Sequence, residues 1–205
     1  MSKVSCDISV SLDGFIAGPG DSVEAPLGEG GDRLHQWVYG LESWRARHGL
    51  AGGESDRDAE VLEESVAHVG ATVMGRRMFD LGEGPWGEEP PFRVPVFVVT
   101  HRPREPLPKK GGTTFHFVPD GIGEAVEQAR TAAGDADVSV AGGADVIRQC
   151  LRAGLLDDLQ LHLVPVLLGG GRRLFDDRGD QPIELETTRV IESPAVTHIR
   201  LRLAR

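Results

Sequence analysis

The sequence predicts an α/β fold: a mostly parallel central sheet flanked by helices and finished by an antiparallel C-terminal hairpin. Three observations predict it. Apolar runs of strand length alternate with stretches of helical periodicity along most of the chain. One run, Asp137-Val138-Ser139-Val140-Ala141, passes through Gly142-Gly143 straight into an amphipathic segment that begins Ala144-Asp145-Val146-Ile147. Finally, two β-rich segments, 183–191 and 196–203, flank Ser193-Pro194, with Thr197, Ile199, Leu201 and Leu203 on one face.

Taken in order, residues 4–12 alternate partly in polarity and stop at Asp13-Gly14, a strand and a turn. Residues 17–31 are crowded with Gly, Pro and acidic side chains and read as a functional loop. Residues 34–47 predict one helix carrying Leu34, Trp37, Val38, Leu41 and Trp44 inward, broken by 49–55. Ser55-Asp56-Arg57-Asp58 resembles a capping box opening a second helix through Val61, Leu62, Ser65, Val66 and Val69. A strand over 71–74 follows, then a short helix over 76–81 and a long connection over 82–95. Strands are predicted over 96–100 and 114–118, with a loop over 103–112 between them. Asp120 is positioned to cap a helix that turns Ile122, Ala125, Val126 and Ala129 inward. After the strand 138–141, a helix runs to Ala153 and stops at Gly154. A further strand starts at Leu159 and ends around 166–168, and Gly169-Gly170-Gly171 reads as a turn rather than a phosphate cradle.

The length of 205 residues fits a single domain over 1–205. A net charge of −10 argues against nucleic acid as a partner, since phosphate-backbone binding calls for a basic face. The N-terminus lacks a basic segment followed by an apolar core, and no apolar run is long enough to span a bilayer. A soluble, unexported, cytoplasmic protein with no membrane partner is expected. Cys6 and Cys150, without a CxxC, fit a reducing compartment. The histidines show no ligand spacing, so no metal is expected.

The strand-to-helix junction at 141–145 is a place to hold an anion. A helix start leaves amides unpaired at the positive end of the dipole, and glycines let a phosphate approach. Two further strand ends, Thr72-Val73-Met74-Gly75-Arg76-Arg77 and Val96-Phe97-Val98-Val99-Thr100-His101-Arg102, finish in basic residues. Ligands of open α/β sheets lie beyond the carboxyl ends of strands, so the three ends together point to a phosphate-bearing cofactor.

These runs, together with Ser11-Leu12-Asp13-Gly14-Phe15-Ile16-Ala17-Gly18 and the stretch from Leu155 to Gly171, resemble the dihydrofolate reductase-like superfamily. Within it they resemble stand-alone relatives of the reductase domain of bacterial riboflavin biosynthesis. The resemblance implies an NADPH-dependent reductase acting on a small heterocyclic or sugar-derived substrate, pterin- or pyrimidine-like. It implies the nicotinamide against the first strand and Ile16 and Ala17, and cofactor phosphates on Gly75, Arg76 and Arg77. It further implies the adenosine 2′-phosphate near Thr100, His101 and Arg102, and the pyrophosphate on Gly142, Gly143, Ala144 and Asp145. Asp13 and Asp32 are the candidate proton donors, with ordered water as the alternative. The resemblance also implies a homodimer; the strand from Leu159 and the C-terminal hairpin are the surfaces expected to pair, because an uncovered strand edge invites association. The H-x-E and P-C-x-x-C signature of a zinc deaminase is missing, so no deaminase is expected. Two other readings stand beside the reductase: a non-catalytic dinucleotide-binding module, and a flavin- or deazaflavin-binding reductase.

Overall fold

The runs Ala71-Thr72-Val73-Met74 and Val96-Phe97-Val98-Val99 are apolar at nearly every position, so each needs cover on both faces. In a computed structural model, which describes residues 2–175 and 182–204, both lie inside a nine-stranded sheet. In chain order the strands are β1 (Val4–Ser11), β2 (Phe15–Ala17), β3 (Val69–Gly75), β4 (Val96–Val99), β5 (Leu107–Pro108) and β6 (Thr114–Val118). There follow β7 (Asp137–Gly142), β8 (Asp158–Val164), β9 (Arg172–Arg173), β10 (Leu185–Glu192) and β11 (Thr197–Leu203). The helices are α1 (Gln36–Tyr39), α2 (Glu42–Arg47), α3 (Arg57–Val66), α4 (Arg76–Trp86), α5 (Gly121–Ala133) and α6 (Ala144–Arg152).

Among the described residues the main sheet runs β10-β11-β8-β1-β7-β3-β4-β6-β5, and β2 pairs separately with β9. Every neighbour pair from β8 to β6 is parallel, while β11 joins β8, β10 joins β11 and β5 joins β6 antiparallel. This is the α/β architecture with an antiparallel C-terminal ending that the sequence predicts.

Helices α5 and α6 cover one face, packing Ala125, Val126, Ala129, Ile147 and Cys150 on Val4, Cys6, Val73, Val138 and Val140. The opposite face has two separate covers. Phe79 of α4 packs with Met74, Val96, Val98, Phe115 and Phe117. Trp37, Val38, Leu41 and Ala59 pack on Val164 and Val196. A cleft runs between these two packs.

Several local expectations are corrected. The single helix over 34–47 is three short pieces: a 3₁₀ turn (Gly31–Leu34), α1 and α2. Leu41 is extended, and the amides of Glu42 and Glu54 bond to the carbonyls of Glu54 and Gly40, replacing helical bonds. Breaking there still lets Leu34, Trp37, Val38 and Leu41 enter one cluster, and Gly40 weakens the continuous helix by about 1 kcal/mol. Asp56, not Ser55, caps α3, accepting from the amides of Asp58 and Ala59. Val69 belongs to β3 rather than to the preceding helix. Helix α4 continues past 81 through Gly82, Gly84 and Pro85 because Trp86 packs on Phe92 and Phe115; a Cβ at Gly82 would lie 2.3 Å from the Trp86 ring. The Asp120 side chain caps nothing, and Gly121 enters α5 at φ +90. The loop over 103–112 contains β5, and β8 stops at Val164. No helix among the described residues is long and apolar enough to cross a membrane.

Candidate active site

Neighbouring strands β3 and β7 send the chain to opposite faces, β3 into α4 and β7 into α6. Such a divergence opens a crevice at the carboxyl ends of the strands. Gly75 is the N-cap of α4 and Gly143 that of α6, and no side chain caps either helix. The two starts touch: a Cβ on Gly75 would meet Val146 Cγ2 at 3.1 Å and the Gly143 amide nitrogen at 3.7 Å. Gly142 sits at φ +121, which glycine tolerates, and the Gly142–Gly143 peptide is cis. Two sets of unpaired helix amides therefore face one opening.

The opening belongs to a cleft of about 1740 Å³. Ile16, Ala17, Asp32, Gly75, Arg76, Arg77, Thr100, His101, Arg102, Gly143, Ala144 and Asp145 all line it. Gly142 lies just behind, paired in register with Met74. Sheet register explains the convergence, since Gly75 stands beside Val99, one residue before Thr100.

The arginines are differently engaged. Arg76 Nε donates to Asp80 Oδ1 at 2.6 Å and Nη1 to the Arg102 carbonyl at 2.9 Å, while Arg102 Nη2 donates to Asp80 Oδ2 at 2.8 Å. Two guanidiniums thus share one carboxylate and keep a net positive charge. The Thr100 hydroxyl accepts from the Arg102 amide at 3.0 Å and fixes the turn. Arg77 points elsewhere: Nε reaches Asp21 Oδ2 at 2.6 Å and Nη2 the Asp21 carbonyl at 2.8 Å. Arg172 adds a second contact to Asp21 at 3.4 Å. The hydrogen bond from Arg77 holds the Asp21 carboxyl below its usual range, and the residue pins the acidic loop over the cleft. Asp145 pairs with Arg148 within α6.

Of the two candidate proton donors, Asp32 lines the cleft in an exposed position, and Asp13 does not line it. Asp13 Oδ1 accepts from the Ser11 hydroxyl at 2.6 Å and the Leu168 amide at 3.1 Å, and Oδ2 from the Gly169 amide at 2.7 Å. These bonds, the Ser11 one first, lower its pKa from 3.8 to about 2. A lowered carboxyl stabilises the fold above its unfolded value of 3.8 and loses that contribution as pH falls toward about 2. Asp13→Ala is therefore expected to lower the urea midpoint at neutral pH and to match wild type near pH 2; an equal gap at both pH values would refute the clamp.

Three buried polar groups, His162, His198 and Asp58, and the half-buried Asp7 beside them escaped the sequence reading. Asp7 Oδ1 lies 2.7 Å from His162 Nε2, His162 Nδ1 lies 2.6 Å from His198 Nδ1, and His198 Nε2 lies 3.0 Å from Asp58 Oδ1. The Ser193 hydroxyl donates to Asp58 Oδ2 at 2.9 Å. Trp37, its Nε1 donating to Ser9 at 3.0 Å, lays its ring 4.6 Å from His162 and 5.1 Å from His198. Asp7, Trp37 and His162 line the cleft. Burial pushes the His198 pKa down, against its bond to Asp58. The sequence signal was faint: polar residues at inward strand positions, meaningful only once β1, β8 and β11 are in register. Both cysteines are buried, and burial pushes Cys150 up to about 12, so neither is a nucleophile.

The model of the RibD C-terminal domain matches residues 2–199. The chain belongs to the RibD C-terminal domain family. Membership supports a reductase of the riboflavin-pathway type. A protein of Shewanella sp. PV-4 assigned to riboflavin biosynthesis shares the fold at TM-score 0.69 and 21% identity, with 100% of each chain covered. The diaminohydroxyphosphoribosylaminopyrimidine deaminase/5-amino-6-(5-phosphoribosylamino)uracil reductase of Thermotoga maritima superposes at TM-score 0.63 and 15% identity, over 99% of this chain and 57% of that one. The protein YyaP of Bacillus subtilis (strain 168) is 24% identical over 185 residues, 85% of this chain and 81% of YyaP.

Proposed function

We propose that this RibD C-terminal domain is an NADPH-dependent reductase of a small heterocyclic or sugar-derived compound, pterin- or pyrimidine-like. The observation that carries the reading is the meeting of two uncapped helix starts with the Arg76–Asp80–Arg102 cluster in one cleft. Amides and guanidiniums at the carboxyl ends of adjacent strands suit the phosphates of one extended nucleotide. The donor set fits the group: an added Cβ at Gly143 meets nothing within 4 Å, so the backbone there is open to a phosphate. At about 1740 Å³ the cleft exceeds the roughly 300–1,000 Å³ of ordinary ligand pockets, room for a dinucleotide and a second reactant.

In this reading Gly143, Ala144 and Asp145 hold the pyrophosphate, Gly75 and Arg76 a cofactor phosphate beside it, Arg102 the 2′-phosphate, and Ile16 and Ala17 the nicotinamide. When bound, the nicotinamide supplies a hydride; the chain supplies orientation, electrostatics and exclusion of water. Arg77 and Asp21 close the loop over the site. A cytoplasmic setting accords with two buried, free thiols. A homodimer is proposed through β10 and β11, where Val190, 58% exposed, and Leu185 join Ile199 and Leu203 in an apolar sheet face. Light scattering should then give the mass of two chains, and a monomer at tens of micromolar would remove this assembly.

The functional test follows NADPH oxidation with 5-amino-6-(5-phosphoribosylamino)uracil, a dihydropterin and a quinone as acceptors. Turnover of one of them with NADPH is expected. NADPH binding without turnover of any acceptor would favour a dinucleotide-binding module, and flavin or deazaflavin absorbance in the purified protein would reassign the cofactor.

A further inference from the structure

We propose that Asp7 hands the substrate the proton that accompanies reduction, drawing it from the buried His162–His198 pair; this rests on the reductase reading above. The assignment follows from counting protons. Three contacts of hydrogen-bond length join Asp7, His162, His198 and Asp58, at 2.7, 2.6 and 3.0 Å, and each needs one proton between its heavy atoms. With both carboxylates ionised, two neutral imidazoles bring two protons. The third makes one ring an imidazolium, and the four groups together carry a net charge of −1.

The proton in the gap between the two Nδ1 atoms can belong to either ring. Moving it from His198 to His162 shifts the charge from the interior to the cleft wall. Asp7 on β1 and Asp58 on α3 face the pair with negative charge, and the aromatic face of Trp37 favours a cation beside it. His35, ahead of α1, opposes a charge on His162, and Asp32 lies next to His35. Burial disfavours the charged form of His198, while of the two rings only His162 lines the cleft. Both ring nitrogens of His162 are occupied, which leaves Asp7 as the outlet. Its Oδ2 is buried without a hydrogen-bond partner among the described residues, on a residue that lines the cleft.

The step balances. Reduction of a C=N or C=O group takes a hydride at carbon, which a bound nicotinamide would supply, and a proton at the heteroatom. That proton leaves His162 Nε2 as the Asp7 O–H bond forms, and leaves Asp7 as the substrate N–H or O–H bond forms. The four groups pass from −1 to −2 and recover one proton from solvent, through Asp58 and half-buried Ser193 or through the cleft after product leaves. Asp7 is the catalytic residue; His162, His198 and Asp58 act through it.

The test uses the full chain with ¹⁵N-labelled histidine, read by NMR between about pH 5 and 8. Near neutral pH one ring of the pair is expected as imidazolium, with a low-field proton shared between the Nδ1 atoms, and Asp58→Asn is expected to discharge it. Two neutral rings across the whole range in wild type would overturn the relay, whatever compound is reduced. With NADPH and 5-amino-6-(5-phosphoribosylamino)uracil as probe, Asp7→Asn should lower kcat about 100-fold while NADPH affinity, read by fluorescence, stays constant. His198→Gln should move the acid limb of the pH profile. An unchanged kcat in Asp7→Asn sinks the relay alone; failure of wild type to bind NADPH sinks the reductase reading beneath it.

Discussion

NADPH is expected to bind an Arg102→Ala variant about 30-fold more weakly than the wild-type chain, with NADH binding unchanged. A hydrogen bond to a charged group contributes roughly 1.5–3 kcal/mol, and about 2 kcal/mol corresponds to a factor of roughly 30 in the dissociation constant. The distinction between the nucleotides lies in one phosphate, so a residue that reads that phosphate must act on one nucleotide alone. Arg102 is well placed for this because its side chain is 70% exposed and, among the described residues, held by one carboxylate oxygen. Arg76 behaves differently. Its Nη1 supports the Arg102 carbonyl and its backbone opens α4, so Arg76→Ala should weaken both nucleotides. Raising salt should narrow the gap between wild type and Arg102→Ala, since exposed charges are screened. Isothermal titration with both nucleotides at two salt concentrations measures all of this; equal losses for NADPH and NADH in Arg102→Ala would move Arg102 away from the 2′-phosphate.

Gly171→Ala should lower stability by about 3 kcal/mol and weaken nucleotide binding as well. Two independent obstacles meet at this position. Gly171 has φ +116, a conformation that costs an L-residue roughly 1–3 kcal/mol. An added Cβ would also stand 2.1 Å from the Ala17 carbonyl oxygen, a backbone atom that cannot rotate away. Relief requires separating β2 from β9, whose register pairs Ala17 with Arg172. That separation frees Arg172 from Asp21 and shifts Ile16 and Ala17 on the cleft wall. At roughly 2–4 °C per kcal/mol for a chain of this size, a melting temperature about 8 °C lower is expected. Gly170→Ala is the control, because a Cβ there meets nothing within 4 Å. Equal melting temperatures for the two variants would contradict the close approach of β2 and β9.

The sequence by itself determined the α/β class, the places where glycine must interrupt a strand, and the turns at Gly75, Thr100 and Gly142 that converge at one cleft. These features are local: an apolar run, a glycine and a helix start are each written within a few residues, and alternation of strands with helices follows from their order. The same local reading joined α1 and α2 into one helix, because the pairing of Gly40 and Leu41 with Glu54 depends on residues a dozen positions away. It ranked Asp13 with Asp32, although the Asp13 carboxylate is taken up by amides of Leu168 and Gly169 that only the folded chain brings near. The tertiary structure alone decided the buried line from Asp7 to Asp58. Its members come from β1, β8, β11 and α3, and their contacts depend on sheet register, which places His162 opposite Ser9 and His198 opposite His162. A shift of one residue in any of these strands would turn the side chains to the other face, and no short-range pattern records which register the packed core selects.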